Sequence, residues 1–225
     1  DYIDAGVATV VVNLKGNYFG SVSKNFTINR KDIEVSWGNR EFTYDGNYHV
    51  PSATASGVPS ESLSINVVSG GIDAGNYNVV AIVESVRGGR GSSSNYNITN
   101  SIVQIIINKR ELIVSPKAGF SKVLGSADPV LLPEFSNLVT GENPDNSGSL
   151  KRETGESVGS YGYLGLGSYQ AVTTSTFKAN NYRLSFVNNS NKFTIVSKTV
   201  QDANITMTPN EIEYTGSERI SEPTV

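Results

Sequence analysis

Short alternating runs of apolar and polar residues, separated by Gly, Asn and Ser, organise this chain, and one cassette of such runs returns three times. Each copy opens on a small residue and Gly, passes through an alternating stretch and an Asn-Tyr pair, and closes on an apolar-x-Ile strand. The copies are Ala5-Gly6, Asn17-Tyr18 and Phe26-x-Ile28; Ala74-Gly75, Asn95-Tyr96 and Ile105-x-Ile107; and Val158-Gly159, Asn181-Tyr182 and Phe193-x-Ile195. The closing Ile recurs after about 80 to 90 residues, the size of one small β-sandwich. Alternation sends successive side chains to opposite faces and predicts strands. Residues 7 to 14 place Ala8, Val10, Val12 and Leu14 on one face and Val7, Thr9, Val11 and Asn13 on the other. Lys15-Gly16-Asn17 turns the chain into a return strand over Val22 to Ile28.

Further strands are predicted at Ile33-x-Val35-x-Trp37, Phe42 to Tyr44, Leu63 to Val67, Tyr77 to Val83 and Ile102 to Ile107. The series continues at Leu112 to Val114, Val130 to Leu132, Tyr161 to Leu166, Val172 to Phe177 and Phe193 to Ile195. The run from Arg87 to Ser94 reads as a long loop. No segment carries the i, i+3, i+4 apolar stripe of a long helix, although Pro144 to Ser147 accommodates a short helical turn. The expected class is all-β: tandem immunoglobulin-like antiparallel β-sandwich modules in an elongated array.

The polar junctions Asn29-Arg30-Lys31-Asp32, Asn108-Lys109-Arg110-Glu111 and Ser197-Lys198-Thr199 divide the chain. Residues 1–29 read as the C-terminal half of a module, 30–109 and 110–197 as whole modules, and 198–225 as the N-terminal half of another. The chain is thus expected to be an excised piece of a longer protein. Linkers of about four residues leave neighbouring modules little freedom. A module of this size buries only about 60% of its unfolded surface, so its own core is modest.

Composition narrows the function classes. Tyr (11) outnumbers Phe (8), and Met and Trp occur once each, which suits a turn-rich β-protein. A net charge of −3 gives no electrostatic footprint for nucleic acid, and no apolar run reaches the ~18 residues of a membrane span. The absence of Cys excludes disulfides and thiolate metal sites.

The second module resembles a known family through Ser121-Lys122-Val123-Leu124-Gly125-Ser126-Ala127-Asp128-Pro129, then Gly148 to Tyr161 with its Arg152-Glu153-Thr154-Gly155-Glu156 core, then Asn181-Tyr182 and Phe193-Thr194-Ile195. These residues are similar to the bacterial immunoglobulin-like surface modules called MBG, with their YDG relatives. Leu124-Gly125 stands where the family pattern has Tyr-Gly, which bears on a local aromatic contact and leaves the fold untouched. Residues 30–109 resemble the group more loosely, through Tyr44-Asp45-Gly46, Ala74-Gly75-Asn76-Tyr77 and Asn95-Tyr96-Asn97-Ile98. The resemblance implies an exported or cell-surface bacterial repeat protein acting as stalk or adhesin. No catalytic or ligand residues are defined for the family, so none carry over.

Residue by residue, the candidate chemistry is thin. Glu153 and Glu156 are the tempting carboxylate pair for glycoside hydrolysis, against a turn in which Arg152 pairs locally. His49, the one histidine, would have to carry any Ser-His-Asp triad. Asp145 with Asn146, or Asp73 with nearby carbonyls, could hold Ca²⁺ through oxygen, yet no Asp-x-Asp-x-Asp spacing exists. Trp37 reads as a core or intermodule aromatic, with sugar stacking as the other reading, and Arg87 and Arg90 flank glycines at a loop tip where a partner could be touched. Tyr18, Tyr96 and Tyr182, with Gly75 and Gly159, read as structural: Asn tolerates turn dihedrals while the Tyr ring packs and its hydroxyl reaches backbone. No cofactor is expected, and the chain is read as non-enzymatic. Its expected role is to space or present a binding region; the alternative is a module that binds carbohydrate or host protein through inter-strand loops. Expected partners are neighbouring modules of the same chain, a glycan or host surface protein, and another copy by head-to-tail association of the two half-modules.

Overall fold

A computed structural model describes residues 3–89, 91–199, 206–208, 211–220 and 222–224. Its described residues are all-β, with one-turn 3-10 helices at Ser93–Asn95 and Ala179–Asn181. Two compact units emerge: residues 1–110 with 180–183, and residues 111–179 with 184–225.

The first unit begins with the hairpin Gly6–Asn13 and Ser21–Ile28. Its largest sheet has four strands in the order Glu41–Thr43, Ile102–Asn108, Gly75–Arg87, Ser62–Val68. Smaller ladders join Lys31–Ile33 to Tyr96–Ile98 and Ser36–Trp37 to Ala53–Thr54. Val79 and Ala81 share a face of their strand, Ile105 and Ile107 share a face of theirs, and all four are buried together with Ile33, Val35, Tyr44 and Tyr96. One apolar face of a pleated sheet is thereby removed from water, as its alternation requires.

Pro133–Ser136, Arg110–Pro116 and Tyr182–Phe186 form one three-stranded sheet, and Ser121–Val123, Phe193–Val196 and Gly159–Tyr161, all in the second unit, form another. Leu112, Val114, Phe177, Phe193 and Ile195 are fully buried. This layered packing is consistent with a β-sandwich.

The three cassettes share one register. Gly6 opens its strand opposite Ile28, Gly75 opens its strand opposite Ile107, and Gly159 opens its strand opposite Ile195. Because side chains alternate with period two, this one pairing sets which residues of the two paired strands share a face.

Several expectations are corrected. The sheets are not antiparallel throughout: Glu41–Thr43 runs parallel to Ile102–Asn108, Lys31–Ile33 to Tyr96–Ile98, and Ser121–Val123 to Phe193–Val196. Parallel pairing needs a long connection, and here each pair is separated by most of a module. Val130 to Leu132 makes no strand, since Leu131 instead donates its N–H to the Ser149 hydroxyl oxygen and accepts the Leu150 N–H on its carbonyl. The strand near Val172 stops there, because the Thr174 hydroxyl accepts from the N–H groups of Thr176 and Phe177 and turns the chain. Asp145–Ser147 is extended against Gln170–Val172, where a helical turn was expected. The loop after Arg87 is shorter than expected, ending in the 3-10 turn at Ser93–Asn95.

Candidate functional site

The Asn-Tyr pairs of the second and third cassettes meet the Gly-opened strands of the cassettes before them. Each pair is positioned by its 3-10 turn, whose last residue is the Asn and whose next residue, Tyr, begins a strand. Asn95 accepts the Ala5 N–H on Oδ1 at 2.7 Å and donates Nδ2 to Asp4 Oδ1 at 2.9 Å. Asn181 accepts the Ala74 N–H on Oδ1 at 2.8 Å and donates Nδ2 to Asp73 Oδ1 at 2.9 Å. A carboxamide carries a donor and an acceptor side by side, so it satisfies an amide and a carboxylate at once. Asn181 is 1% exposed, and its bonds offset the cost of burying it.

Beneath the second of these contacts, Tyr77 donates its hydroxyl to the Asp73 carbonyl at 2.7 Å, holding the turn before Gly75. Tyr161 does the same to the Ser157 carbonyl, also at 2.7 Å, before Gly159. These two corner tyrosines were not singled out in the sequence; the signal was a Tyr two residues after Gly75 and after Gly159, where the first cassette has Ala8 after Gly6. Tyr96 and Tyr182 are both buried. The Tyr96 hydroxyl accepts the Val58 N–H at 3.1 Å and donates to Glu61 at 2.5 Å, and burial followed by the Glu61 carboxylate pushes its pKa up. Tyr182 packs edge-on against Tyr44 at 5.5 Å. Tyr18 stands apart, 73% exposed near the turn between the first two strands.

The strongest electrostatic feature lies in the second unit. Arg152 is buried and uses all five of its donors. Nε and Nη2 grip Asp128 at 2.7 and 2.9 Å, Nη2 also reaches Glu156 at 2.7 Å, and Nη1 reaches the carbonyls of Glu153 and Gly155 at 2.8 and 2.9 Å. Its guanidinium lies 4.8 Å from the Phe193 ring centre and 5.2 Å from that of Tyr161, within cation–π range. The buried Lys122 ammonium pairs with Asp128 at 2.7 Å and with Glu156. Hydrogen bonding from Arg152 holds the Asp128 carboxyl down at about 2. Lys122 lowers Glu156, while Asp128 raises both Lys122 and Arg152. Two cations answered by two carboxylates form a structural tie. Glu153 is occupied separately, accepting the Gly162 N–H at 2.6 Å.

The other candidates are dispersed. His49 stacks on Phe42 at 4.6 Å and pairs with Asp45 at 2.8 Å; Asp45 is lowered first by the Asn47 N–H and further by His49. Trp37 is half-buried, its indole N–H donating to the Asn100 carbonyl at 3.3 Å. Arg87 is exposed at the end of the four-stranded sheet, on a different ladder from Trp37, and Arg90 lies outside the described residues. Asp145 accepts the N–H of its neighbour Asn146, whose own Oδ1 accepts the Tyr169 hydroxyl. Among the described residues, no three His, Asp or Glu side chains converge on a metal-sized space.

Residues 112–194 match the family model of the MBG domain (YGX type). No curated protein and no solved structure matches the chain. Within the matched region, Gly125 has φ 85°, which only glycine adopts cheaply, and the preceding Leu124 is exposed, so the family's aromatic at that place would be a surface residue.

Proposed function

We propose that this chain is a non-enzymatic spacer segment of a bacterial surface or secreted repeat protein, built from tandem immunoglobulin-like modules. The observation that carries this reading is the threefold Gly–Ile register, twice accompanied by the same Asn clamp on the preceding cassette. The MBG match supports a repeat-type domain in the second half. Polar side chains that could serve chemistry are bonded to one another or to backbone: Glu156 to Arg152 and Lys122, Glu153 to Gly162, and Asp45 to His49.

A spacer must hold its length under load. Pulling the chain from its ends should give discrete unfolding steps, each releasing roughly 250–300 Å for a module of about 80 residues. Smooth extension without steps would reject the spacer reading. The second reading, glycan or host-protein binding through inter-strand loops, predicts a glycan-array or pull-down signal that falls on Trp37→Ala or Arg87→Ala.

A further inference from the structure

Two notches of one construction each receive an Asn carboxamide. The sequences are Ile3-Asp4-Ala5-Gly6 and Ile72-Asp73-Ala74-Gly75, and in both the Gly pairs across the sheet with the closing Ile. The clamping Asn comes from far along the chain, 90 residues after Ala5 and 107 after Ala74, and each time from the next cassette. The rule is directional: an Asn-Tyr pair reads the notch of the cassette before it.

Ser157-Val158-Gly159 is a third notch of this construction. Gly159 pairs with Ile195 as Gly75 does with Ile107, and Tyr161 braces the Ser157 carbonyl as Tyr77 braces that of Asp73, at the same 2.7 Å. Ser157 replaces Asp, keeping an acceptor oxygen for a carboxamide N–H while removing the charge. Val158 is 55% exposed, whereas Ala74 is half-buried under Asn181. Among the described residues, no carboxamide reaches the Val158 N–H.

We propose that Ser157-Val158-Gly159 is a docking site for the Asn carboxamide of a following module of the same construction, one presenting an Asn-Tyr pair at the end of a single 3-10 turn. One such contact between separate molecules is weak. Tethering the occupant next in the chain raises its effective concentration to the millimolar range, so the natural occupant is in cis. The identity of the occupant rests on the repeat reading above; the notch itself rests on geometry alone.

The test is amide hydrogen exchange by NMR. In the chain as it is, the Ala5 and Ala74 amides should be protected and the Val158 amide should exchange quickly. Asn181→Asp, which sets a carboxylate against Asp73, should release Ala74 without changing Ala5. The chain is then lengthened by joining a second copy of residues 110–197 directly after Ser197, reproducing the three-residue step from Ile107 to Arg110. Val158 should slow by about tenfold or more, and changing the appended counterpart of Asn181 to Ala should reverse this. If Val158 still exchanges quickly while the appended copy's own core amides are protected, the proposal is wrong. That outcome is separable from the spacer reading, because stepwise unfolding under load does not require this notch.

Discussion

Phe26-x-Ile28 and Phe193-x-Ile195 are the same closing strand in two settings. Both pair their Ile with a strand-opening Gly, in the same antiparallel register. Yet Phe26 is 45% exposed in a two-stranded hairpin whose valines also face solvent, whereas Phe193 is 0% exposed, with Arg152 across its ring. Local pairing sets register in both places. Burial requires a second layer, and an isolated two-stranded hairpin cannot supply one.

The largest expected contrast is in truncation. Phe193→Ala should cost the second unit about 4 kcal/mol through cavity formation, while Phe26→Ala should stay within about 1 kcal/mol. Chemical denaturation followed by residue-resolved NMR would read both, and equal losses would break the comparison. Next in size is Arg152→Met, which keeps volume over Phe193 but strands Asp128 beside Lys122 alone. About 3 kcal/mol should be lost from the second unit, with amides of the 6–28 hairpin unmoved.

Acid should separate the same two regions. Asp128 has its folded pKa held at about 2 against an ordinary 3.8, and Glu156 is lowered from 4.5. Depressed carboxyls add stability that is complete above their unfolded values and disappears as pH falls through the folded ones. The second unit should therefore weaken progressively below about pH 4.5, down to about pH 2, and Arg152→Met should flatten that dependence. At the alkaline end the sign reverses: Lys122, raised above 10.5, contributes below that pH and is lost as pH rises beyond it. A melting temperature with no slope between pH 5 and pH 2 would remove the network as a stabiliser.

The smallest effect sharpens the picture from the opposite direction. Tyr163 sits opposite Arg152 on the adjacent strand, fully buried, and its hydroxyl has no protein acceptor among the described residues. Tyr163→Phe should be neutral or raise stability by up to about 1 kcal/mol. A clear loss would reveal a partner for that hydroxyl.

Much of this was legible from pattern. The cassette glycines do open strands, the apolar-x-Ile runs are strands, and the alternation around Ile105 and Phe193 names core residues correctly. The same alternation in residues 7 to 14 looks identical on paper and is largely exposed. Periodicity reports which face a side chain takes, not whether anything covers that face. Likewise Arg152 reads as pairing locally with its Glu neighbours, and its bidentate partner Asp128 lies 24 residues back. The Asn-Tyr pairs read as turn chemistry, and the clamp that Asn181 makes on Ala74 has no local signature.

The sequence alone determined what nearest neighbours along the backbone decide: strand positions, turn glycines, the two-residue alternation and the repeat that sets their spacing. Only the tertiary structure decided which carboxylates face Arg152, which closing strand is buried and where each Asn lands. Apart from Glu156, four positions from Arg152, those contacts depend on residues brought together across 24 to 108 positions. A carboxamide or a guanidinium has the same bonding capacity wherever it lies, and only the fold supplies its partner.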